Sequence, residues 1–274
     1  MNGVLAGIRV INLAANLPGP AAAQRLCRMG ADVVKVEAPS GDPMETYHAG
    51  WYRDMMEGQT VVTLDIKSDD GKAELDRLLG SADLLISASR PAAMKRLGLD
   101  WESLSGKYPR LCQVAIIGFL SPRENEAGHD LTYQASLGLL TPPHMPRTLL
   151  ADMAGAEQTL SSALALLLQK ERTGVAGYAE VALSEAAAAL AEPLRYGCTS
   201  AGANLGGGIP EYNIYRSADG WVAVAALEPH FKSRLEGELS IASFEEYQAA
   251  FAGKSSAYWQ EWGEKMDVPI ETVQ

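Results

Sequence analysis

At 274 residues, with 47% hydrophobic and 21% charged content, the chain has the composition of a globular protein rather than a disordered one. Its net charge of −11 disfavours nucleic acid or an anionic membrane surface as a partner, and no apolar run is long enough to span a bilayer. The opening "MNGVLAGIRVINLA" lacks the basic-then-apolar layout of a signal peptide, so a cytoplasmic location is expected. Cys27, Cys112 and Cys198 are odd in number and widely spaced, which suits reduced thiols better than disulfides or a metal site.

In chain order, "IRVINL" (8–13) reads as a buried strand and "PGPAAAQRLCRMG" (18–30) as a helix, opened by prolines and stopped at Gly30. "DVVKVE" (32–37) is a second strand, and the three pieces together have the length of a right-handed β-α-β crossover. Further strands are expected at "VVTLDI" (61–66), "LLIS" (84–87) and "LCQVAIIG" (111–118), with helical patterns such as "DDGKAELDRLLGSA" between them. A long helix is predicted from Met153 to Arg172, with Asp152 at its N-cap position and Gly174 beyond its end. "YAEVAL" (178–183) returns to strand and leads into an alanine-rich helix from Ser184. The glycine cluster "GANLGGGIP" (202–210) marks a change of character. After it, "YNIYRSADGWVAVAAL" has the pattern of two strands joined at "SADG", followed by an acidic, aromatic stretch with helical spacing.

The predicted class is α/β: a Rossmann-like, mainly parallel sheet with helices on both faces, plus a smaller α+β domain. The domains are placed at 1–205 and 206–274. A dinucleotide site is disfavoured. Glu37 ends the second strand, where a ribose-binding acid would stand, but "AANLPGPA" has prolines where a G-x-G-x-x-G turn would need glycines.

Three polar residues stand out, each with two readings. Asp152 can be a simple helix cap, or a carboxylate beside a helix terminus whose free amides hold a developing oxyanion. His129, in "EAGHDLTY", can be a structural histidine or an acid/base group, with Gly128 permitting close approach of a ligand. Glu228, between an apolar strand and Pro229, can be a solvated strand end or the carboxylate that orients a histidine.

Several segments in fixed order closely resemble the family III CoA-transferases, the carnitine dehydratase and bile-acid-inducible F group. They are "LAGIRVINLA", "PGPAAAQRLCRMGADVVKVEAP", "VVTLDIKSDDGKAEL", "SRPAAMKRLGLD" and "YPRLCQVAIIGF". "GHDLTYQASLGLL", "LLADMAGAEQTLSSALALLLQKERTGVAGYAEVAL" and "YNIYRSADGWVAVAALEPHF" are most similar to the α-methylacyl-CoA racemase branch. The resemblance runs from about residue 4 to residue 240.

It implies an acyl-CoA racemase or epimerase acting on a 2-methylacyl-CoA thioester. His129 and Asp152 would exchange protons at the α-carbon, Glu228 would orient His129, and amides after Asp152 would hold the enolate oxygen. Substrate contacts carry over to Lys67, Arg90 and Arg96, and to Gly128, Asp130 and Tyr133 in the histidine motif. No cofactor beyond the CoA moiety and no metal is implied, and the family's interlocked dimers make a homodimer the expected assembly. One alternative is a CoA-transferase in which Asp152 forms an acyl anhydride. The other is a shortened homologue that binds acyl-CoA or a partner chain without catalysis. Ala38 stands where the racemases carry a phosphate-binding arginine, "DMMEGQTVVTLDIK" lacks the family's Asn-Arg pair, and the chain is read as carboxy-terminally short.

Overall fold

The computed structural model describes residues 3–274; residues 1–2, the start of the stretch read above for a leader, lie outside it. The chain divides into two compact units, Met1–Leu190 and Ala191–Gln274. The division falls ahead of the glycine cluster that suggested a boundary near residue 205.

The first unit opens with β1 (Arg9–Asn12), α1 (Pro18–Arg28), β2 (Asp32–Glu37), α2 (Pro43–Met56), β3 (Thr60–Thr63) and α3 (Asp69–Leu79). It continues with β4 (Leu84–Ser87), α4 (Pro91–Leu97), α5 (Trp101–Lys107) and β5 (Cys112–Ile117). Then come α6 (Asp130–Ser136), α7 (Leu150–Thr173), β6 (Tyr178–Ala182) and α8 (Leu183–Leu190). The six strands form one parallel sheet in the order β3-β2-β1-β4-β5-β6.

The sequence dictates this locally. β4 and β5 are buried along their whole length, as uninterrupted apolar runs in parallel sheets must be when helices cover both faces. Alternate residues of one strand serve opposite cores. Val10, Leu84, Ile86 and Val114 pack with Leu26 of α1 and with Leu160, Ala163 and Leu167 of α7. Ile11, Val34, Val36 and Leu85 pack with Leu75 and Leu78 of α3 and Met94 of α4. Helix starts follow local chemistry as well. Prolines open α1, and the Ser68 hydroxyl accepts the Gly71 amide at 3.0 Å to cap α3, whose first turn carries Asp69 and Asp70. The end of α7 is closed by Gly174 in the left-handed conformation, φ +74°.

The second unit contains α9 (Glu192–Arg195), β7 (Tyr212–Arg216), β8 (Trp221–Ala225), α10 (Pro229–Leu239), α11 (Phe244–Ala252), α12 (Ser256–Met266) and β9 (Ile270–Thr272). Its three strands form an antiparallel sheet in the order β7-β8-β9. The core of this unit is aromatic: Tyr215 stacks on Phe251 at a centroid distance of 5.1 Å, and Phe251 meets Trp259 at 4.7 Å. The α/β class and the smaller α+β portion are as expected. The short strand β9 has no counterpart in the sequence reading.

One buried ion pair holds the loops at the carboxyl end of the sheet. Lys35 of β2 and Asp42 are both about 1% exposed, with Nζ and Oδ2 2.8 Å apart, and the Lys35 ammonium also donates to the Ala14 carbonyl. The other oxygen of Asp42 accepts the amides of Asn16 and Met44, each at 3.0 Å, so this carboxylate joins the loop after β1 to the start of α2. Removing one partner leaves an uncompensated buried charge. Asp42→Ala is therefore expected to lower stability by about 3–5 kcal/mol, read as a fall in the urea midpoint at unchanged slope.

Candidate functional site

In an open parallel sheet the crevice lies beyond the carboxyl ends of the strands, where successive connections depart toward opposite edges. Here that reversal falls between β1 and β4. A cavity of about 380 Å³ opens there, lined by the loop after β1 (Ala15–Pro18), the loop after β4 (Ala88–Arg90), the end of β5, and His129 and Asp152. A second cavity of about 550 Å³ lies toward β2 and β3, lined by Glu37–Asp42 and Leu64–Lys67, and shares Ala15 and Ser89 with the first. Both sizes suit small-molecule sites, roughly 300–1,000 Å³.

His129 stands immediately before α6, in extended conformation at φ −144°. Its amide donates to the Thr132 hydroxyl at 3.0 Å, and that hydroxyl donates to the His129 carbonyl at 2.8 Å. The backbone of His129 is thus held while the residue as a whole is exposed. Gly128 before it is required by space. A Cβ there would come within 2.6 Å of the Tyr133 ring, which is 1% exposed and meets Phe119 edge-on at 5.2 Å.

Asp152 does not occupy the cap predicted for it. Helix α7 begins at Leu150, so Asp152 is the third residue of its first turn. The capping carboxylate is Asp130 of α6, 4% exposed, whose Oδ1 accepts the amides of Ala151 at 2.7 Å and Asp152 at 3.1 Å. Its Oδ2 accepts from the Gln134 amide at 2.6 Å, and Gln134 also donates to the Thr148 carbonyl at 3.3 Å. With an acceptor supplied from another helix, α7 can start earlier than its own sequence suggests, and an acid in its first turn is still favoured by the helix dipole. The expectation that amides after Asp152 are free for an oxyanion is corrected too. The Met153 amide donates to the Leu149 carbonyl, and the Asp152 amide is taken by Asp130. One turn on, Gly155 lets Leu183, another cavity-lining residue, press against α7; a Cβ would meet its Cδ2 at 2.2 Å.

Burial raises the Asp152 carboxyl to about 6, the charge of Asp130 adds to the rise, and the charge of His129 opposes it. That opposing pull means that His129 and Asp152 feel one another electrostatically, as two groups lining one cavity should. Burial and the Asp152 charge likewise push the Tyr133 phenol upward.

The remaining candidates distribute as follows. Arg90, Gly128 and Tyr133 line the first cavity and Lys67 the second. Arg96, exposed on α4, lines neither. Glu228 belongs to the second unit, exposed at the N-cap position of α10. Asn16, Leu17, Tyr47 and Glu124 line the first cavity without having been singled out. Asn16 and Leu17 were findable, because the loop after the first strand of a parallel sheet faces the ligand crevice. Tyr47 and Glu124 carry no comparable pattern. Glu37 at the end of β2 accepts the Tyr52 hydroxyl at 2.6 Å. Among the described residues, no group of three or more His, Cys, Asp or Glu side chains is placed to hold a metal ion.

The sequence model of CoA-transferase family III matches residues 5–274. The α-methylacyl-CoA racemase of Mus musculus is 32% identical over 280 residues, covering 96% of this chain and 70% of that protein. The probable fatty acyl-CoA transferase Rv3272 of Mycobacterium tuberculosis is 29% identical over 269 residues, covering 84% of this chain and 67% of its own length. The crystal structure of Rv3272 superposes with a TM-score of 0.84 at 25% identity, over 100% of this chain and 86% of that one.

The raised Asp152 carboxyl has a stability consequence. An aspartate in an unfolded chain titrates near about 3.9, so ionising Asp152 is harder in the folded protein. The contribution of this group is fully present below about pH 4 and is lost as pH rises through about 6. Asp152→Asn is expected to be more stable than wild type at pH 8 by on the order of 1–3 kcal/mol, with no gain at pH 4 or below. Urea unfolding at the two pH values measures it.

Proposed function

Because this chain belongs to CoA-transferase family III, we propose that it inverts the α-carbon of a 2-methylacyl-CoA thioester by proton transfer between Asp152 and His129. The observation that carries the reading is their convergence: an imidazole before α6 and a carboxyl in α7 line one cavity at the switch point of the sheet, with the carboxyl raised to about 6.

An α-proton beside a thioester is weakly acidic, so the reaction needs a base on one face of the carbon and an acid on the other. With Asp152 as base, the Cα–H bond breaks, the proton passes to the carboxylate, and the electron pair moves onto the carbonyl oxygen as an enolate. The His129 imidazolium then delivers a proton to the opposite face. Asp152 ends protonated and His129 neutral, which is the starting state for the reverse direction. A carboxyl lifted to about 6 can both take up and release a proton near neutral pH, as a group that serves as base in one direction and acid in the other must. The first turn of α1 lines the cavity at Leu17 and Pro18, and the positive end of its dipole favours the enolate.

In this proposal Arg90 and Lys67 meet the phosphates of CoA across the two adjoining cavities. Glu228 is carried forward as a proposed site residue, and a homodimer is the expected assembly.

A transferase reading is favoured by the similarity to Rv3272, named a probable fatty acyl-CoA transferase. There the Asp152 carboxylate would attack the thioester carbonyl and expel the CoA thiolate to leave an acyl anhydride. The thiolate would then attack the Asp152 carbonyl, releasing the first acid and leaving an aspartyl-CoA thioester. The acceptor carboxylate would expel the thiolate again to form its own anhydride with Asp152, and thiolate attack on the acceptor carbonyl would give the new CoA thioester and restore the Asp152 carboxylate.

Incubation with a 2-methylacyl-CoA in deuterated water separates the two. We expect α-deuterium incorporation in wild type, reduced at least about a hundredfold in His129→Ala and Asp152→Asn and less severely in Glu228→Gln. Absence of exchange, together with transfer of CoA to a free acid and trapping of an Asp152 adduct by hydroxylamine, would establish the transferase instead.

A further inference from the structure

We propose that Asp130 is a positioning residue for the proton-transfer pair: one buried carboxylate, covalently next to His129 and hydrogen-bonded to the amide of Asp152, holds the two groups in register and opposes negative charge on Asp152. The inference rests on the reading of Asp152 and His129 as the reacting pair.

The geometry is specific. Asp130 is the first residue of α6 and follows His129 directly, so any displacement of Asp130 displaces the histidine backbone. Its Oδ1 accepts two successive first-turn amides of α7, one of them belonging to Asp152 itself, at 2.7 and 3.1 Å. Its Oδ2 is held by Gln134 one turn along α6, and Gln134 in turn holds the Thr148 carbonyl in the segment leading into α7. α6 and the start of α7 are thereby fixed to one another where both reacting groups emerge. An asparagine or serine would suffice to cap a helix. A carboxylate adds something an amide cannot, a full negative charge beside a second carboxyl from which most water has been removed.

Other charged and titratable groups face Asp152 and must be set against Asp130. From α6 and the residue before it these are His129, whose charge acts in the opposite sense, and Tyr133. Tyr47 of α2, Arg90 before α4, and Glu124 and Glu126 line the same cavity. Glu126 is paired with Arg123 at 2.8 Å. Asp130 differs from all of them in being fixed to the backbone of Asp152.

The test reads the carboxyl directly, by carbon-13 NMR of carboxyl-labelled aspartates, with Asp152→Asn used to identify the Asp152 signal. Asp130→Asn keeps an acceptor for the two amides and removes the charge. The Asp152 midpoint is expected to fall by about one pH unit, and the acidic limb of the exchange rate to move with it. Asp130→Ala, which removes the acceptor as well, is expected to lower the plateau rate by roughly tenfold or more. If Asp130→Asn does not fold, the wild type still decides the matter: the Asp130 signal is expected to step as Asp152 titrates. An unmoved Asp152 midpoint in Asp130→Asn, or an Asp130 signal that stays flat through that range in wild type, overturns the proposal. Failure of the racemase reading would be seen separately, as absent α-exchange with this titration intact.

Discussion

Where β1 and β4 lie side by side, the chain leaves one strand toward β2 and β3 and the other toward β5 and β6, so no connection bridges the gap at their carboxyl ends. The candidate side chains of the first unit lie around that gap or are fixed to a residue that does, except Lys67, which lines the neighbouring cavity toward β2 and β3, and Arg96, which lines neither. Two buried carboxylates hold the backbone on the rim of the gap. The Lys35–Asp42 pair holds the loop after β1 and the start of α2, and Asp130 holds the start of α7. Both anchors are buried carboxylates that accept backbone amides, which lets irregular backbone sit beside a core without leaving polar groups unpaired.

The site also shows a tension between stability and activity. A carboxyl half-buried near a second carboxylate is held in a state that the unfolded chain would not impose, and ionising it works against folding. The same arrangement brings the carboxyl into the range useful for proton exchange near neutrality. The histidine side is built differently, exposed and held by its backbone through Thr132, so it remains open to a ligand. One partner is tuned by burial and the other by access.

Much of the architecture could be read from residue order. The strands "DVVKVE" and "LLIS" are found at the predicted positions, because a buried parallel strand is an unbroken apolar run with few alternatives. The long helix ending before Gly174 was legible for a similar reason. Short elements were not. "DLTYQAS" forms α6 with no helical periodicity to announce it, and β9 spans three residues. β9 exists because β8 supplies hydrogen-bond partners that no local window contains, while α6 is a short helix closed at its start by Thr132 and His129. In the second unit the aromatic spacing of the final segment predicted helices, and those rings became the core.

Motifs along the chain determined the family, the sheet class and the identity of the acid/base candidates, because residue type and spacing are local properties that survive without coordinates. What the cap of α7 is, and which charge stands beside Asp152, was decided only on folding. Asp130 and Ala151 are 21 positions apart, and a hydrogen bond across that separation depends on how two helices pack, which no propensity encodes. The acidity of a carboxyl is set by its desolvation and its neighbours in space, so the letter D at position 152 carried its chemistry but not the pH at which that chemistry operates.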